Sequence, residues 1–233
     1  MFDLSARYYD LIYGFKNYAR EAEIIRSLMI RFAPNARTIL DVACGTGEHD
    51  RFLKRDYLID GVDLNTTLVE IARRKNPECS YVIGDMRSFD LGRTYDSITC
   101  LFSAIGSMNT TEDLESTLRS FRRHLLSGGL ALVEPWLSPG QWNPGAIQLL
   151  SAKNDLYTVS RMAQGGWASS RVSTLNFHYL VGSEAGIEHF TETEELGLFT
   201  HDEMKQAFGA AGFEVKFDPE GLIGRGLYIA RAA

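Results

Sequence analysis

The stretch Thr38-Ile39-Leu40-Asp41-Val42-Ala43-Cys44-Gly45-Thr46-Gly47 decides the fold of this chain. Its first half is apolar around one carboxylate, which predicts a strand that is buried on both faces of a sheet. Gly45 and Gly47 lack a Cβ, so the backbone can turn tightly there and approach a ligand. The helix expected next would offer free N–H groups at its start. The stretch therefore predicts a strand, a turn and a helix, either with a ligand at the turn or as a tight corner without one.

The residues after the turn argue against a dinucleotide. A dinucleotide-binding fingerprint has a third glycine, which leaves room for the pyrophosphate. This chain has Asp50 there, an anion where the phosphates would lie, and Glu48 and His49 crowd the position further. The turn therefore favours a nucleoside without phosphates, and an NAD-dependent oxidoreductase is the less favoured alternative.

Composition narrows the class of protein. The 233 residues can form one α/β domain, or one domain with an insertion. A net charge of −6 does not suit a nucleic-acid partner, which favours a basic stripe. Cys44, Cys79 and Cys100 have no paired spacing and are expected to be free thiols in a reducing compartment.

Neither a membrane nor a metal is expected as a partner. The chain has no apolar run long enough to span a bilayer, and its first residues do not have the pattern of a signal peptide. Its five histidines lack the spacing of metal ligands. We therefore expect a cytoplasmic protein without a metal, and the sequence is compatible with a homodimer.

Strands and helices alternate through the first part of the chain. After the opening stretch, further strands are predicted at 57–63, 79–84, 95–102 and 130–136. The alternation predicts a parallel, doubly wound sheet, in which ligands bind outside the carboxyl ends of the strands. The residues at those ends are Gly45, Asp63, Asp85, Leu101 and Glu134.

Some helix boundaries are also predicted. Thr67-x-x-Glu70 and Thr200-x-x-Glu203 have the capping-box pattern. The helix whose apolar residues run from Leu114 to Leu125 is expected to stop at Gly128-Gly129.

Two carboxylates at the strand ends suit a nucleoside. Asp63 can accept hydrogen bonds from both hydroxyls of a ribose, although a turn or helix-capping aspartate is the alternative. Asp85 and Met86 could bind an adenine amino group and cover its face, although a simple turn would contain the same pair. Their register with the glycine turn favours the nucleoside site.

The segments before and after the alternating strands and helices have different sequence patterns. Tyr8, Tyr9, Tyr13 and Tyr18 cluster in the first 20 residues, either as core packing or as a lid that closes the pocket. Helical periodicity disappears from 137 to 196, where strands are expected at 157–162, 174–180 and 188–196. We expect this insertion to form a small antiparallel β-sheet that caps the substrate pocket.

The core of the fold is expected to comprise residues 1–136 and 197–233. Strands are predicted at 213–217 and 226–230, and the connection between them is too short for a parallel crossover. The last strand should therefore run antiparallel.

The sequence resembles a known family. Asp41-Val42-Ala43-Cys44-Gly45-Thr46-Gly47 is similar to the first motif of class I S-adenosylmethionine-dependent methyltransferases. Together with 84–89, 134–136 and 224–227, it resembles the N,N-dimethyltransferases that act on dTDP-linked 3-amino-deoxysugars in desosamine and mycaminose biosynthesis. The resemblance covers nearly the whole chain. It implies a Rossmann-like sheet of seven strands whose last strand is reversed.

The resemblance also implies a cofactor, a partner and a set of site residues. The cofactor would be S-adenosyl-L-methionine, with S-adenosyl-L-homocysteine as product, and the partner a small acceptor such as a dTDP-linked amino sugar. Arg225 matches the arginine that holds a substrate phosphate. The residues implied at the cofactor are Tyr9, Ala43, Gly45, Gly47, Asp63, Leu64, Asp85, Met86 and Leu101. Those implied near the acceptor are Tyr13, Tyr18, Trp136, Arg161 and His178.

Two matters stay open at this stage. Glu134 is a candidate proton acceptor or amine anchor, with a structural role at the strand end as the alternative. Ser107 departs from the family, whose members often have histidine or tyrosine there. The acceptor could therefore also be another small amine, an amino acid or a hydroxyl compound, and a cofactor-binding module without catalysis is a further alternative.

Overall fold

The computed structural model describes residues 4–233, in which seven strands form a main sheet and four form a second sheet. The strands are β1 (Thr38–Val42), β2 (Leu58–Asp63), β3 (Ser80–Ile83), β4 (Tyr95–Cys100), β5 (Leu125–Val133), β6 (Ile147–Lys153), β7 (Thr158–Ser169), β8 (Val172–Ser183), β9 (Gly186–Gly197), β10 (Phe213–Asp218) and β11 (Leu227–Ala232). The helices are α1 (Tyr9–Ile12), α2 (Tyr18–Phe32), α3 (Asp50–Leu53), α4 (Thr66–Lys75), α5 (Thr111–Arg123) and α6 (His201–Ala210).

The main sheet has the predicted topology. Its strand order is β10-β11-β5-β4-β1-β2-β3, and β1 to β5 pair in parallel. Strand β11 runs antiparallel to both β5 and β10. The Rossmann-like sheet with a reversed last strand is therefore confirmed.

The sheet is buried because its strands are apolar on both faces. In β1, Ile39 packs into the cluster that contains α2, whereas Leu40 and Val42 pack into the cluster that contains α5 and α6. All three side chains are fully buried. This double burial fixes the register of β1, and with it the position of the turn that follows.

The second sheet is formed by β6-β7-β8-β9, all antiparallel. Three of its strands fall where strands were predicted, but each has 12 residues and extends beyond the predicted range. Strand β6 was missed, because most of its residues are exposed and its sequence lacks strict alternation. We call β6–β9 the cap sheet.

Two predicted boundaries were wrong. Helix α4 is capped by Asn65, whose side chain accepts from the Leu68 amide, so Thr67 lies inside the helix. Helix α5 ends at Arg123, and Leu125 already pairs with Tyr95 of β4. Residues 126–129 then bulge out before Leu130 pairs with Ser97, so the two glycines belong to a strand irregularity rather than a helix stop.

The start of α6 was predicted correctly. Thr200 and Glu203 form the expected capping box of α6. Helix α6 ends just before Gly212, which has a φ of 84°. Across residues 4–233, no helix combines the length and the apolar character needed to cross a membrane.

Asp50 is not where the sequence suggested. Its side chain is fully buried and accepts a hydrogen bond from the Tyr81 hydroxyl at 2.8 Å. It also shares a hydrogen bond with Asp41, whose other partner is the Thr99 hydroxyl at 2.7 Å. The expectation that Asp50 repels a phosphate at the turn was therefore wrong, and the reversed last strand is what remains against a dinucleotide enzyme.

The buried acid pair predicts a pH dependence of stability. Burial raises the pKa of Asp50 to about 6, and burial also raises the pKa of Asp41 well above its usual value. A raised pKa means that the folded state favours the protonated acid. The contribution of the protonated acid to stability is therefore complete below about pH 4 and is lost as pH rises through about 6. Asp50→Asn should remove the part of this loss that Asp50 contributes, whereas the part due to the burial of Asp41 remains.

The measurement is urea unfolding of both proteins between pH 4 and pH 7.5. The difference in the free energy of unfolding, Asp50→Asn minus wild type, should increase by about 2 kcal/mol from pH 4 to pH 7.5. Parallel curves for the two proteins would contradict the shared proton.

Candidate cofactor and acceptor site

A cavity of about 1060 Å³ opens above the carboxyl ends of the main-sheet strands and extends beneath the cap sheet. Single small-ligand pockets have volumes of about 300–1,000 Å³, so this cavity can hold a cofactor together with part of an acceptor. Eight of the nine residues predicted at the cofactor line it: Tyr9, Ala43, Gly45, Asp63, Leu64, Asp85, Met86 and Leu101.

Asp63 holds the glycine turn in place. One carboxylate oxygen accepts from the Gly45 amide and the other from the Asn65 amide, both at 2.8 Å. Burial raises the pKa of Asp63, whereas these amide hydrogen bonds lower it. Each carboxylate oxygen has a second lone pair, so the carboxylate can still accept hydrogen bonds from a diol in the cavity.

The turn itself has left-handed backbone at its cavity side. Ala43 has a φ of 57° and Gly45 a φ of 55°, and the space where a Cβ on Gly45 would lie is open. A ligand can therefore approach the backbone of the turn closely.

Gly47, which is also predicted at the cofactor, does not line the cavity. A Cβ on this residue would lie 2.7 Å from both the Asn76 amide nitrogen and the Tyr81 hydroxyl. Its φ is 69°, and the Asn76 amide donates to its carbonyl at 2.9 Å. Gly47 is thus required for packing beneath the turn.

Asp85, Met86 and Leu101 line the part of the cavity at the ends of β3 and β4. The Arg87 guanidinium makes hydrogen bonds with Asp85, and these lower the pKa of the Asp85 carboxyl. The chain turns sharply after Leu101, since Phe102 and Ser103 both have positive φ. This end of the cavity combines a carboxylate with two apolar side chains, which suits the edge and face of an adenine.

The N-terminal segment joins the main sheet to the cap sheet. Asp10 accepts from the Thr46 hydroxyl at 2.6 Å and from the Lys75 ammonium at 2.8 Å. The Ser5 hydroxyl donates to Glu192 of β9 at 2.5 Å. Of the clustered tyrosines, Tyr8 is buried in the cap-sheet core, whereas Tyr9 and Tyr13 line the cavity.

Two arginines predicted near the acceptor line the cavity. Arg161 is 5% exposed and donates to the Tyr13 hydroxyl at 2.7 Å. Arg225 donates to the Ser103 hydroxyl at 3.0 Å, and its guanidinium carbon lies 5.3 Å from the centre of the Trp136 ring. The structure thus brings together the predicted residues Tyr13, Trp136, Arg161 and Arg225.

Two predicted acceptor residues lie elsewhere. Tyr18 packs edge-on against His49 at 4.9 Å between ring centres and does not line this cavity. His178 is exposed and stacks on His189. In β8, Phe177 and Tyr179 are buried on the inner face, so the alternation of the strand places His178 on the outer face.

Glu134 lies behind the cavity wall. Its side chain is fully buried, and one carboxylate oxygen accepts from the Phe102 amide at 2.6 Å. Burial raises the pKa of Glu134. These contacts fix the turn after β4, so they support the structural alternative rather than a catalytic role.

Sequence reasoning missed several residues of the cavity wall. Lys16 and Glu21 line it and form a buried ion pair at 3.0 Å, and Glu21 also contacts His49 at 2.7 Å. Glu194 of β9 lines it too. The alternation of Glu192 and Glu194 in the predicted strand 188–196 was a signal that both face the same side.

Comparison with known proteins decides the family. A sequence profile of the methyltransferase domain matches residues 39–129. The chain is 38% identical over 227 residues to the dTDP-3-amino-3,6-dideoxy-alpha-D-glucopyranose N,N-dimethyltransferase of Streptomyces fradiae, covering 96% of this chain and 89% of the relative. The chain belongs to the S-adenosylmethionine-dependent sugar N-methyltransferases. This methyltransferase is also 38% identical to the dTDP-4-amino-2,3,4,6-tetradeoxy-D-glucose N,N-dimethyltransferase of Saccharopolyspora spinosa, over 95% of this chain and 90% of that one.

Solved structures agree with this assignment. Streptomyces venezuelae DesVI is 34% identical, with a TM-score of 0.92 over 98% of both chains. The SAM-bound amino pentose methyltransferase CalS10 from Micromonospora echinaspora is 32% identical, with a TM-score of 0.85 over 94% of this chain and 93% of that one. The fold of the methyltransferase is therefore that of sugar N-methyltransferases.

The two glycines of the turn should respond differently to substitution. Gly47→Ala combines a left-handed φ with a clash, and should lower the free energy of unfolding by about 2–4 kcal/mol. Gly45→Ala has only the backbone cost of about 1 kcal/mol, but its Cβ enters the cavity and should weaken the binding of S-adenosylhomocysteine.

Urea unfolding and calorimetric titration of both variants make the comparison. A Gly47→Ala protein as stable as Gly45→Ala would contradict the packing role of Gly47.

Proposed function

We propose that this methyltransferase N-methylates the amino group of a nucleotide-linked amino sugar. The observation that carries the proposal is the pair of arginines, Arg161 and Arg225, in a cavity that is continuous with the predicted cofactor site. A guanidinium is a planar fork of donors that suits a phosphate. The relatives from S. fradiae and S. venezuelae are named as acting on dTDP-linked amino sugars, which supports the same acceptor class here.

The residues at the cavity wall fit S-adenosylmethionine. We propose that Asp63 binds the ribose hydroxyls, that Asp85 and Met86 bind the adenine, and that Gly45 and Tyr9 border the methionine part. When bound, this cofactor supplies an activated methyl group on a sulfonium. The chain's own part is to position the acceptor, and positioning of this kind can contribute on the order of 7–11 kcal/mol.

We propose that residues 137–196 cap the acceptor and that residues 1–20 act as a lid over the cofactor. Trp142, Ala163 and Phe177 of the cap line the same cavity as Gly45 and Asp63 of the core. The hydrogen bonds of Asp10 and Ser5, which attach the N-terminal segment to the glycine turn and to β9, support this role. An enclosed, largely apolar site excludes water and strengthens the contacts of a charged acceptor.

The acceptor class is tested with a panel of compounds read by mass spectrometry. The panel contains dTDP-linked 3-amino and 4-amino sugars, the same sugars without the nucleotide, free amino acids, alkylamines and hydroxyl analogues. Methylation of a dTDP-linked amino sugar at the highest kcat/KM would support the proposal. A higher kcat/KM for an amino acid, an alkylamine or a hydroxyl compound would overturn it.

Arg225→Gln tests the phosphate contact. The KM for a dTDP-linked amino sugar should rise about tenfold or more, because a charge-assisted hydrogen bond is lost. The KM for the same sugar without the nucleotide should stay unchanged. Arg119→Gln is the control, since Arg119 is exposed on α5 and pairs with Glu115.

An equal rise in KM for both acceptors would show that Arg225 shapes the cavity rather than binds the phosphate. An unchanged KM for both would place the phosphates elsewhere.

A further inference from the structure

The carboxylates at the cavity wall differ in their partners. Within residues 4–233, four of the five have a cation or an amide as partner: Glu21 with Lys16 and His49, Asp63 with two backbone amides, Asp85 with Arg87, and Glu195 with Asn109. Glu194 is the fifth: within residues 4–233 its carboxylate has no hydrogen bond or ion pair, and the cations that act on it electrostatically are the amino terminus of the chain and Arg161. A carboxylate in this setting can bind a cation of the ligand.

The position of Glu194 is set by the alternation of β9. Glu192, two residues earlier on the same face, accepts hydrogen bonds from the amide and hydroxyl of Ser5. Glu194 pairs across the cap sheet with Leu175, which also lines the cavity. One carboxylate therefore ties down the N-terminal segment, and the next is left facing the cavity.

Glu194 is also close to the predicted cofactor site. It acts electrostatically on the phenols of Tyr9 and Tyr13, and Tyr9 is under the influence of Asp63 as well. The rings of Tyr9 and Tyr13 are 4.6 Å apart between centres. Glu194 thus lines the cavity close to Tyr9, which is predicted at the cofactor, and to Tyr13, which is predicted near the acceptor.

We propose that Glu194 binds the ammonium form of the acceptor's amino group and takes a proton from it. This inference rests on the proposed function, since it needs an amine acceptor. An N–H bond of the ammonium breaks and an O–H bond forms on the Glu194 carboxylate, which leaves a neutral nitrogen with a free lone pair. The proton then passes to solvent, and the carboxylate is restored for the next acceptor.

The titration of Glu194 suits this role. Burial raises the pKa of the Glu194 carboxyl to about 7, so the group can accept and release a proton near neutral pH. The charged and titratable groups that act on it are the amino terminus of the chain, Arg161 of β7, Glu192 of its own strand, and Tyr9 and Tyr13 of the N-terminal segment. Since the carboxyl is ionised above about pH 7 and neutral below, binding of an ammonium should weaken as pH falls through this value.

Equilibrium binding tests the anchor without turnover. Calorimetry with S-adenosylhomocysteine present compares a dTDP-linked amino sugar with its analogue that has a hydroxyl in place of the amino group. In Glu194→Gln, the Kd for the amino sugar should rise about tenfold or more at pH 7.5, whereas the Kd for the hydroxyl analogue should not change. Glu188→Gln is the control, because Glu188 lies exposed on the same strand outside the cavity.

The rate tests the proton transfer. Glu194→Gln should lower kcat/KM about 100-fold at pH 7, and the deficit should shrink as pH approaches the pKa of the free amine, since the acceptor then arrives already neutral. Glu194→Asp keeps a carboxylate and should retain part of the rate with the wild-type pH profile.

The outcomes are distinguishable. If the wild type methylates amino sugars but Glu194→Gln has unchanged Kd values and a rate that runs parallel to the wild type at every pH, this inference is overturned and the proposed function stands. An equal weakening of both analogues would show that Glu194 only shapes the cavity, which also overturns it. A wild type that methylates no amine would overturn both proposals.

Discussion

The contact between Asp63 and the glycine turn is the constraint on which the site depends. Because β1 and β2 pair in parallel, their carboxyl ends meet, and the Asp63 carboxylate lies 2.8 Å from the Gly45 amide. This hydrogen bond fixes the turn while lone pairs on Asp63 remain for a ligand. The packing of Gly47 against Tyr81 supports the turn from below. A cofactor site with this precision needs both strands buried and in register.

The second constraint is the connection between two sheets that share no strand. The N-terminal segment contacts the turn through Asp10 and the cap sheet through Ser5, so it forms part of the wall between them. Tyr9 and Tyr13 then project into the cavity from this segment. This short stretch of chain therefore supplies part of the cavity wall and the Tyr13 hydroxyl that contacts Arg161.

Charge is distributed unevenly along the cavity. The guanidinium groups of Arg161 and Arg225 line the cavity, as does the carboxylate of Glu194. A nucleotide-linked amino sugar has the complementary pattern, with anionic phosphates and a cationic amine. The apolar rings of Phe102, Trp136 and Phe177 surround these charges, and low polarity strengthens each contact.

The sequence by itself determined the parallel sheet, the reversed last strand, and the carboxylates at the strand ends, because these follow from local periodicity and from short connections. Only the tertiary structure decided which side chains meet: it placed Asp50 in a buried pair with Asp41, Glu134 behind the wall, and His178 on the outer face. Each of these outcomes depends on packing between segments far apart in the chain, and a local pattern holds no information about such a partner. For the same reason Glu194, an ordinary residue in an alternating strand, became distinctive only when its neighbours in space were known.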